Sequence, residues 1–169
     1  MSKNDKQDVN IYKASKMLQQ KVGSGPLDEA VVAKSQKVLD ENDVDFTPLG
    51  LQFLGKLEAA LKTVNDESIP MKDRKQALTG PVMELKANAA IFKYNLIGNL
   101  ANIMLSFLES TPTLDKDAIT IVDAHHKTLH MIVVKKMTGD GGQHGEIFTR
   151  ELKDACTRYH NARIKKANA

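Results

Sequence analysis

Apolar side chains recur every three or four positions through most of this 169-residue chain, and this spacing constrains its fold more than any other feature. Because an α-helix turns once in about 3.6 residues, such positions form one continuous apolar face along a helix. The longest series predicts one long central helix over about 82–109. Its members are Val82, Leu85, Ala89, Phe92, Leu96, Leu100, Ile103 and Phe107. The chain is therefore predicted to be all-α.

Glycine and proline residues divide the apolar series into separate helices. They interrupt it at 23–26, at 80–81 and at 139–142. Short connections between successive helices favour antiparallel neighbours. We therefore expect an antiparallel up-and-down bundle of five to six helices, formed by a single domain over residues 9–166. Residues 1–8 are polar and are expected to form a disordered tail.

Composition and charge limit the classes of function. Hydrophobic residues make up 41% and charged residues 27%, as in ordinary soluble domains. The lone Cys156 cannot form an intrachain disulfide, and residues 1–8 lack the apolar stretch of a secretory signal. The most apolar window, 87–108, contains a lysine and four asparagines, which are costly in a membrane. Net charge is +3 without a long basic run. We expect a cytoplasmic protein with no membrane span and no indicated nucleic-acid partner.

Three of the five histidines lie within two turns of one predicted helix, and one arrangement would use them to bind a metal. The last predicted helix carries a cysteine and a histidine four residues apart. If the two helices form an antiparallel hairpin about Gly141, these side chains fall opposite the histidine segment. The candidate zinc ligands are Asp123, His126, Cys156 and His160. The commoner alternative in helical cores is a buried Cys156 and a hydrogen-bonded His126.

The pair His125 and His126 also suits a second function, in which one imidazole accepts a phosphoryl group. A phosphoacceptor needs an exposed imidazole and a nearby cation, which Lys127 supplies. On a helical bundle of this size, the segment resembles histidine phosphotransfer domains. The resemblance implies a signalling module with His125 or His126 as the phosphoacceptor. Those domains place a basic residue three positions after the histidine, where this chain has Thr128 or Leu129.

Asparagines on the long predicted helix indicate a surface that contacts another chain. Asn88, Asn95, Asn99 and Asn102 lie beside its apolar face, where lysine and glutamate are the usual surface residues. Half-buried amides need hydrogen-bond partners, which a second protein or a second copy can provide. His125, expected to point toward solvent or a partner, is a further candidate for partner contact.

The chain contains no recognisable pattern of catalytic residues. No serine lies in a nucleophile elbow, and there is no Glu-x-x-His pair of the kind that binds two iron ions. The glycine-rich segment 138–145 lacks the lysine-hydroxyl pair of a phosphate-binding loop, so it is predicted to be a flexible hinge. The leading hypothesis is a non-enzymatic protein that acts in regulation or assembly by binding another protein or itself. It requires no cofactor, whereas the metal-binding alternative requires zinc.

Overall fold

Helices account for all of the regular secondary structure in the computed structural model, which describes residues 16–23, 28–41 and 44–167. The helices are α1 Lys16–Val22, α2 Glu29–Asp40, α3 Thr47–Thr63, α4 Met71–Ala89, α5 Asn95–Ser110, α6 Lys116–Val134 and α7 Gly142–Ala167. The all-α prediction is confirmed. Contacts between residues group the chain into two units, Met1–Glu41 and Asn42–Ala169. The predicted tail at 1–8 lies outside the described residues, and the single domain over 9–166 stays a prediction.

In the first unit, α2 is an amphipathic helix with exposed apolar side chains. Asp28 caps its N-terminus by accepting the Ala30 N–H at 2.9 Å. Lys37 lies in the last turn, where a cation suits the helix dipole. Val31 and Val38 lie two helical turns apart and are 59% and 66% exposed. The cap and the position of Lys37 therefore both favour the helical conformation of α2.

In the second unit, α3 to α7 pack around a shared core. α4 packs against α3 and α5, and α6 packs against α3, α5 and α7. α5 contacts three of the other four helices and buries one of its faces. Its buried residues are Leu96, Ile97, Leu100, Ala101, Met104, Phe107 and Leu108. α6 also contacts three helices, so α5 and α6 are the central helices of this unit, and burial of their apolar side chains is a main source of stability.

The long central helix predicted over 82–109 is two helices, because the chain turns at 90–94. Lys93 adopts a left-handed backbone conformation, with a φ of 62°. Gly139 donates its N–H to the Lys93 carbonyl at 2.6 Å, and Leu96 donates its N–H to the Gly139 carbonyl at 2.9 Å. The prediction of one continuous helix is therefore wrong. The aromatic side chains of the turn pack against the start of α3, so the apolar spacing continues through the break and conceals it.

α4 continues through Pro81, although the Gly80–Pro81 pair predicted an interruption there. Pro81 has no backbone N–H, so it removes one intrahelical hydrogen bond. The buried side chains of Leu78, Val82 and Leu85 lie on both sides of the proline, and their burial in the core offsets this loss. Residues before and after Pro81 therefore share one continuous helix surface.

α3 and α6 approach closely at Gly50. A Cβ atom at this position would lie 3.0 Å from Val133 Cγ1 and 3.2 Å from Phe46 Cε1. Both neighbouring side chains are buried, so glycine is the residue that fits this crossing without displacing them. One turn later, the Leu54 backbone lies beside the imidazole of His126 in α6. The crossing thereby determines which α6 side chains face α3.

The start of α6 is joined to the end of α7 through Asp115. Its carboxylate caps α6 by accepting the Ala118 N–H at 2.9 Å. It also accepts hydrogen bonds from the Tyr159 hydroxyl at 3.0 Å and from Arg163 Nη1 at 2.5 Å. Burial raises the pKa of Asp115, but these hydrogen bonds and the Arg163 charge outweigh it and leave that pKa below its usual value. The carboxylate is therefore ionised at neutral pH and contacts both helices.

Candidate functional site

The imidazole of His125 lies in the core, with none of its surface exposed. Its Nδ1 donates a hydrogen bond to the Ile121 carbonyl at 2.9 Å, and its Nε2 has no hydrogen-bond partner among the described residues. Burial lowers the pKa of His125, and the bond to Ile121 only partly opposes that effect, so the ring is neutral at pH 7. The expectation that His125 faces solvent or a partner is wrong. A phosphoryl donor has no access to this side chain.

His126 lies at the seam between α3 and α6 and is half-buried. Burial lowers its pKa, whereas a hydrogen bond with the Leu54 backbone and the charge of Glu58 act in the opposite direction. Its ring centroid is 6.2 Å from that of His130, one turn further along α6. The phosphotransfer alternative, which named His125 or His126, therefore depends on His126 alone.

The cation expected to assist phosphotransfer is already paired. Lys127 Nζ lies 2.6 Å from the Asp123 carboxylate, one turn earlier on α6. This pair is largely exposed, so it contributes little to stability. The Lys127 ammonium group nevertheless contacts the Asp123 carboxylate rather than the His126 ring.

The four predicted metal ligands do not lie together, because they contact different helices. Asp123 and His126 lie toward α3, because Asp123 lines a cavity with Lys62 and the charge of Glu58 acts on His126. His160 instead contacts α5, because its Nε2 lies 3.1 Å from Ser110 Oγ. Across the described ranges, no group of three or more histidine, cysteine or acidic side chains is positioned to hold a metal ion.

Cys156 belongs to the core rather than to a reactive site. Its side chain is buried with those of Leu152 and Tyr159. Burial raises the pKa of Cys156 to about 11, so the thiol is protonated at neutral pH. A protonated thiol is neither a good nucleophile nor a good zinc ligand. The structure therefore places Cys156 in the core, as the alternative with a buried Cys156 predicted.

The predicted asparagine surface is divided between two helices. Asn88 lies on α4 and donates its side-chain N–H to the Glu84 carbonyl at 2.8 Å. Asn95, Asn99 and Asn102 lie on α5 and are exposed. The turn between the two helices separates Asn88 from the others. Since the α5 amides lie at the protein surface, they are accessible to a partner.

Asn99 lines a cavity of about 560 Å³ between α5 and the start of α7. The glycine-rich turn borders this cavity and packs closely against α5. A Cβ atom at Gly141 would lie 2.6 Å from Leu96 Cδ2, and one at Gly145 would lie 1.9 Å from the Asp140 carbonyl oxygen. The segment predicted to be a flexible hinge is therefore a turn with close backbone contacts.

Asn102 lines a second and larger cavity, of about 630 Å³, between α4 and α5. We refer to it as the α4–α5 groove. Side chains of α4 form one wall and side chains of α5 form the other. Its lining includes Lys72, Lys75, Met83 and Lys86 of α4 and Asn102, Leu105, Ser106 and Glu109 of α5.

The groove combines an exposed apolar side chain with positive charge. Met83 is 59% exposed, although it lies between lysines on the same helix surface. Lys75 donates a hydrogen bond to the Thr111 carbonyl just beyond the end of α5, so its charge stabilises that helix terminus. Lys72 and Lys86 have no ion pair within the part of the chain that the structure describes. The groove therefore offers two unpaired cations and an apolar centre.

Sequence reasoning missed all of the groove except Asn102. The signal was present, because Lys72, Gln76, Thr79, Met83 and Lys86 follow one another at steps of three and four. The predicted interruption at Gly80–Pro81 separated these residues into two helices. Only a helix that continues through the proline places both lysines on one face.

Comparisons of this chain with models of protein families, with curated proteins and with solved structures found no match. Within the described ranges, no helix has the length and apolar character needed to cross a membrane. Function must therefore be inferred from the side chains that the fold brings together.

Proposed function

We propose that this chain is a non-enzymatic helical-bundle protein that acts in regulation or assembly by binding another protein through the α4–α5 groove. The observation that carries the proposal is the exposure of Met83 between two unpaired lysines, Lys72 and Lys86. The single cysteine cannot form an intrachain disulfide, which fits a reducing compartment, and we propose a cytoplasmic location.

An exposed methionine is suited to protein recognition. Its unbranched and polarizable side chain adapts to partners of different shape, and it gains free energy when a partner covers it. Beside Met83, Leu105 is only partly buried and extends the apolar centre onto α5. These two side chains supply the contact that a protein surface would desolvate.

Polar side chains around this centre supply orientation rather than bulk affinity. Asn102 and Ser106 are exposed on the α5 wall and offer hydrogen-bond donors and acceptors. Lys72 and Lys86 add charge that accelerates encounter with an acidic partner and rejects a basic one. An apolar centre with a polar rim is the usual arrangement of a protein interface.

Two of the side chains predicted as candidates for chemistry are buried, which favours a binding function over an enzymatic one that would use them. His125 and Cys156 are buried, so neither is accessible to a substrate in this conformation. Zinc binding and phosphotransfer from His126 stay predictions, and neither gains a supporting contact from the arrangement around the α3–α6 seam.

Site-specific photocrosslinking tests the proposal. A photoactivatable phenylalanine analogue would replace Met83 in the groove or Met131 on α6, both of which are exposed methionines. The full chain would be expressed in the cells that naturally carry it and then irradiated. We expect Met83 to yield a discrete protein adduct, including a dimer if the partner is a second copy, and Met131 to yield none. Equal adducts from both positions, or adducts from Met131 alone, would contradict the proposal.

A further inference from the structure

We infer that the α4–α5 groove accepts an acidic amphipathic helix of its partner, with negative side chains near both ends and an apolar stripe between them. This inference rests on the proposed function and specifies the chemistry of the partner at the same site. Three features of the groove support it: the spacing of Lys72 and Lys86, the position of Met83 between them, and the uncharged polar side chains of the α5 wall.

The two lysines define the length of the partner segment. Lys72 and Lys86 lie on the groove side of the same helix. At about 1.5 Å per residue, their Cα atoms are about 21 Å apart along the helix axis. A partner helix lying along α4 would need roughly four turns to reach both ammonium groups. The occupant is therefore a helical segment of about 15 residues rather than a short loop.

The apolar centre defines the middle of the partner segment. Met83 and Leu105 face the groove from its two walls, and Met83 projects into solvent. A helix laid in a groove anchors itself through apolar residues spaced at three, four and seven positions. Such a stripe would cover Met83 and Leu105 while the acidic ends of the helix reach the lysines.

The α5 wall favours this occupant over a polyanion. Asn102 and Ser106 are uncharged, and Glu109 is the one carboxylate among the described residues lining the groove. A nucleic acid would bring negative charge against Glu109 and would leave Met83 exposed to its polar backbone. A helix with charge only near its ends covers Met83 with its apolar stripe, and it brings one small acidic cluster, rather than a continuous polyanion, to the Lys75 end of the groove where Glu109 lies.

Peptide binding to the full-length chain tests the inference. Two fluorescent helical peptides of about 15 residues would share one leucine stripe, with glutamates flanking the stripe in one peptide and lysines in the other. Fluorescence anisotropy would give the Kd of each at low and at physiological salt. We expect the acidic peptide to bind at least roughly tenfold more tightly, and its advantage to shrink as salt screens the charges.

Two charge-reversal variants separate a local effect from net charge. Lys72→Glu with Lys86→Glu should weaken the acidic peptide at least roughly tenfold, because two attractions become two repulsions. Lys135→Glu with Lys153→Glu changes net charge by the same amount just beyond the end of α6 and on α7, and should leave the Kd nearly unchanged. Equal weakening by both variants would overturn the inference.

A third variant and two further probes test the remaining elements. Met83→Ser should weaken the acidic peptide severalfold, since it removes the exposed apolar contact while leaving the core intact. A short DNA oligonucleotide that binds as well as the acidic peptide, with no effect of Met83→Ser, would overturn the inference in favour of a polyanion. If the wild-type chain binds neither peptide but self-associates in sedimentation, and Met83→Ser abolishes that self-association, the occupant of the groove is a second copy of the chain and the inference is overturned. If position 83 crosslinks to a protein but the full-length chain shows no preference for the acidic peptide, this inference is refuted and the proposed function is not.

Discussion

Replacement of Gly50 by alanine tests the closest helix contact in the bundle. Alanine in place of glycine within a helix stabilises it by up to about 1 kcal/mol. At Gly50 the added Cβ would lie 3.0 Å from Val133 Cγ1 and 3.2 Å from Phe46 Cε1, and both of those side chains are buried. Crowding of a packed core costs about 1–3 kcal/mol. We therefore expect Gly50→Ala to range from neutral to destabilising by about 2 kcal/mol.

Gly55→Ala is the matched control for this substitution. Gly55 lies in the same helix, and its added Cβ would meet nothing within 4 Å. The control should stabilise the protein by up to about 1 kcal/mol, so the two variants should differ by about 1–3 kcal/mol. Urea unfolding followed by far-UV circular dichroism measures both free energies.

A double mutant assigns the difference to a particular contact. Val133→Ala removes two of the three atoms that crowd the new methyl group and leaves Phe46 Cε1, so Gly50→Ala should be less destabilising in that background than in the wild type. The cycle should show a favourable coupling of about 1 kcal/mol or more. Equal stabilisation by Gly50→Ala and Gly55→Ala in the wild-type background would refute the close approach of α3 and α6, and with it the placement of His126 at their seam.

Three further substitutions test other features of the fold. Burial lowers the pKa of His125 in the folded chain below 6.5, so the unfolded chain binds more protons and the free energy of unfolding should fall as pH drops through that value. His125→Gln should reduce the slope of this free energy against pH, measured from urea midpoints, by at most about 1.4 kcal/mol per pH unit. An unchanged slope would contradict the burial of His125. Tyr159→Phe removes a hydrogen-bond donor to Asp115, and because the Asp115 side chain is 40% exposed, the loss should be only about 0.5–1 kcal/mol. No loss in urea unfolding would contradict the hydrogen bond. Gly141→Ala should lower Tm more than Gly142→Ala, because both have positive φ but only Gly141 lies against Leu96, and equal losses would contradict that contact.

Much of the helical content followed from apolar spacing, because each of the helices α3 to α7 buries one face. The two errors in helix boundaries have tertiary causes. The turn at 90–94 continues the apolar spacing because its aromatic side chains pack against α3, and hydrogen bonds from Gly139 and Leu96 hold it. The helix continues through Pro81 because core packing outweighs the lost hydrogen bond. Local sequence contains neither contact.

The candidate site was harder to predict because several faces of α6 are apolar. The sequence predicted His126 as the candidate core histidine and His125 as facing solvent or a partner, whereas the buried face of α6 contains His125. Adjacent helix positions differ by about 100°, so a choice between steps of three and four decides which histidine is buried. Apolar spacing alone does not make that choice. The close approach of α3 at Gly50 contributes to it.

Amide hydrogen exchange of the full-length chain, with and without the acidic peptide at saturation, tests the central claim most directly. Binding along the groove predicts slower exchange in α4 and α5, Met71–Ala89 and Asn95–Ser110, with α6 unchanged over Lys116–Val134. Slowing confined to α6, or no change in any helix, would contradict the assignment of the binding surface to the α4–α5 groove.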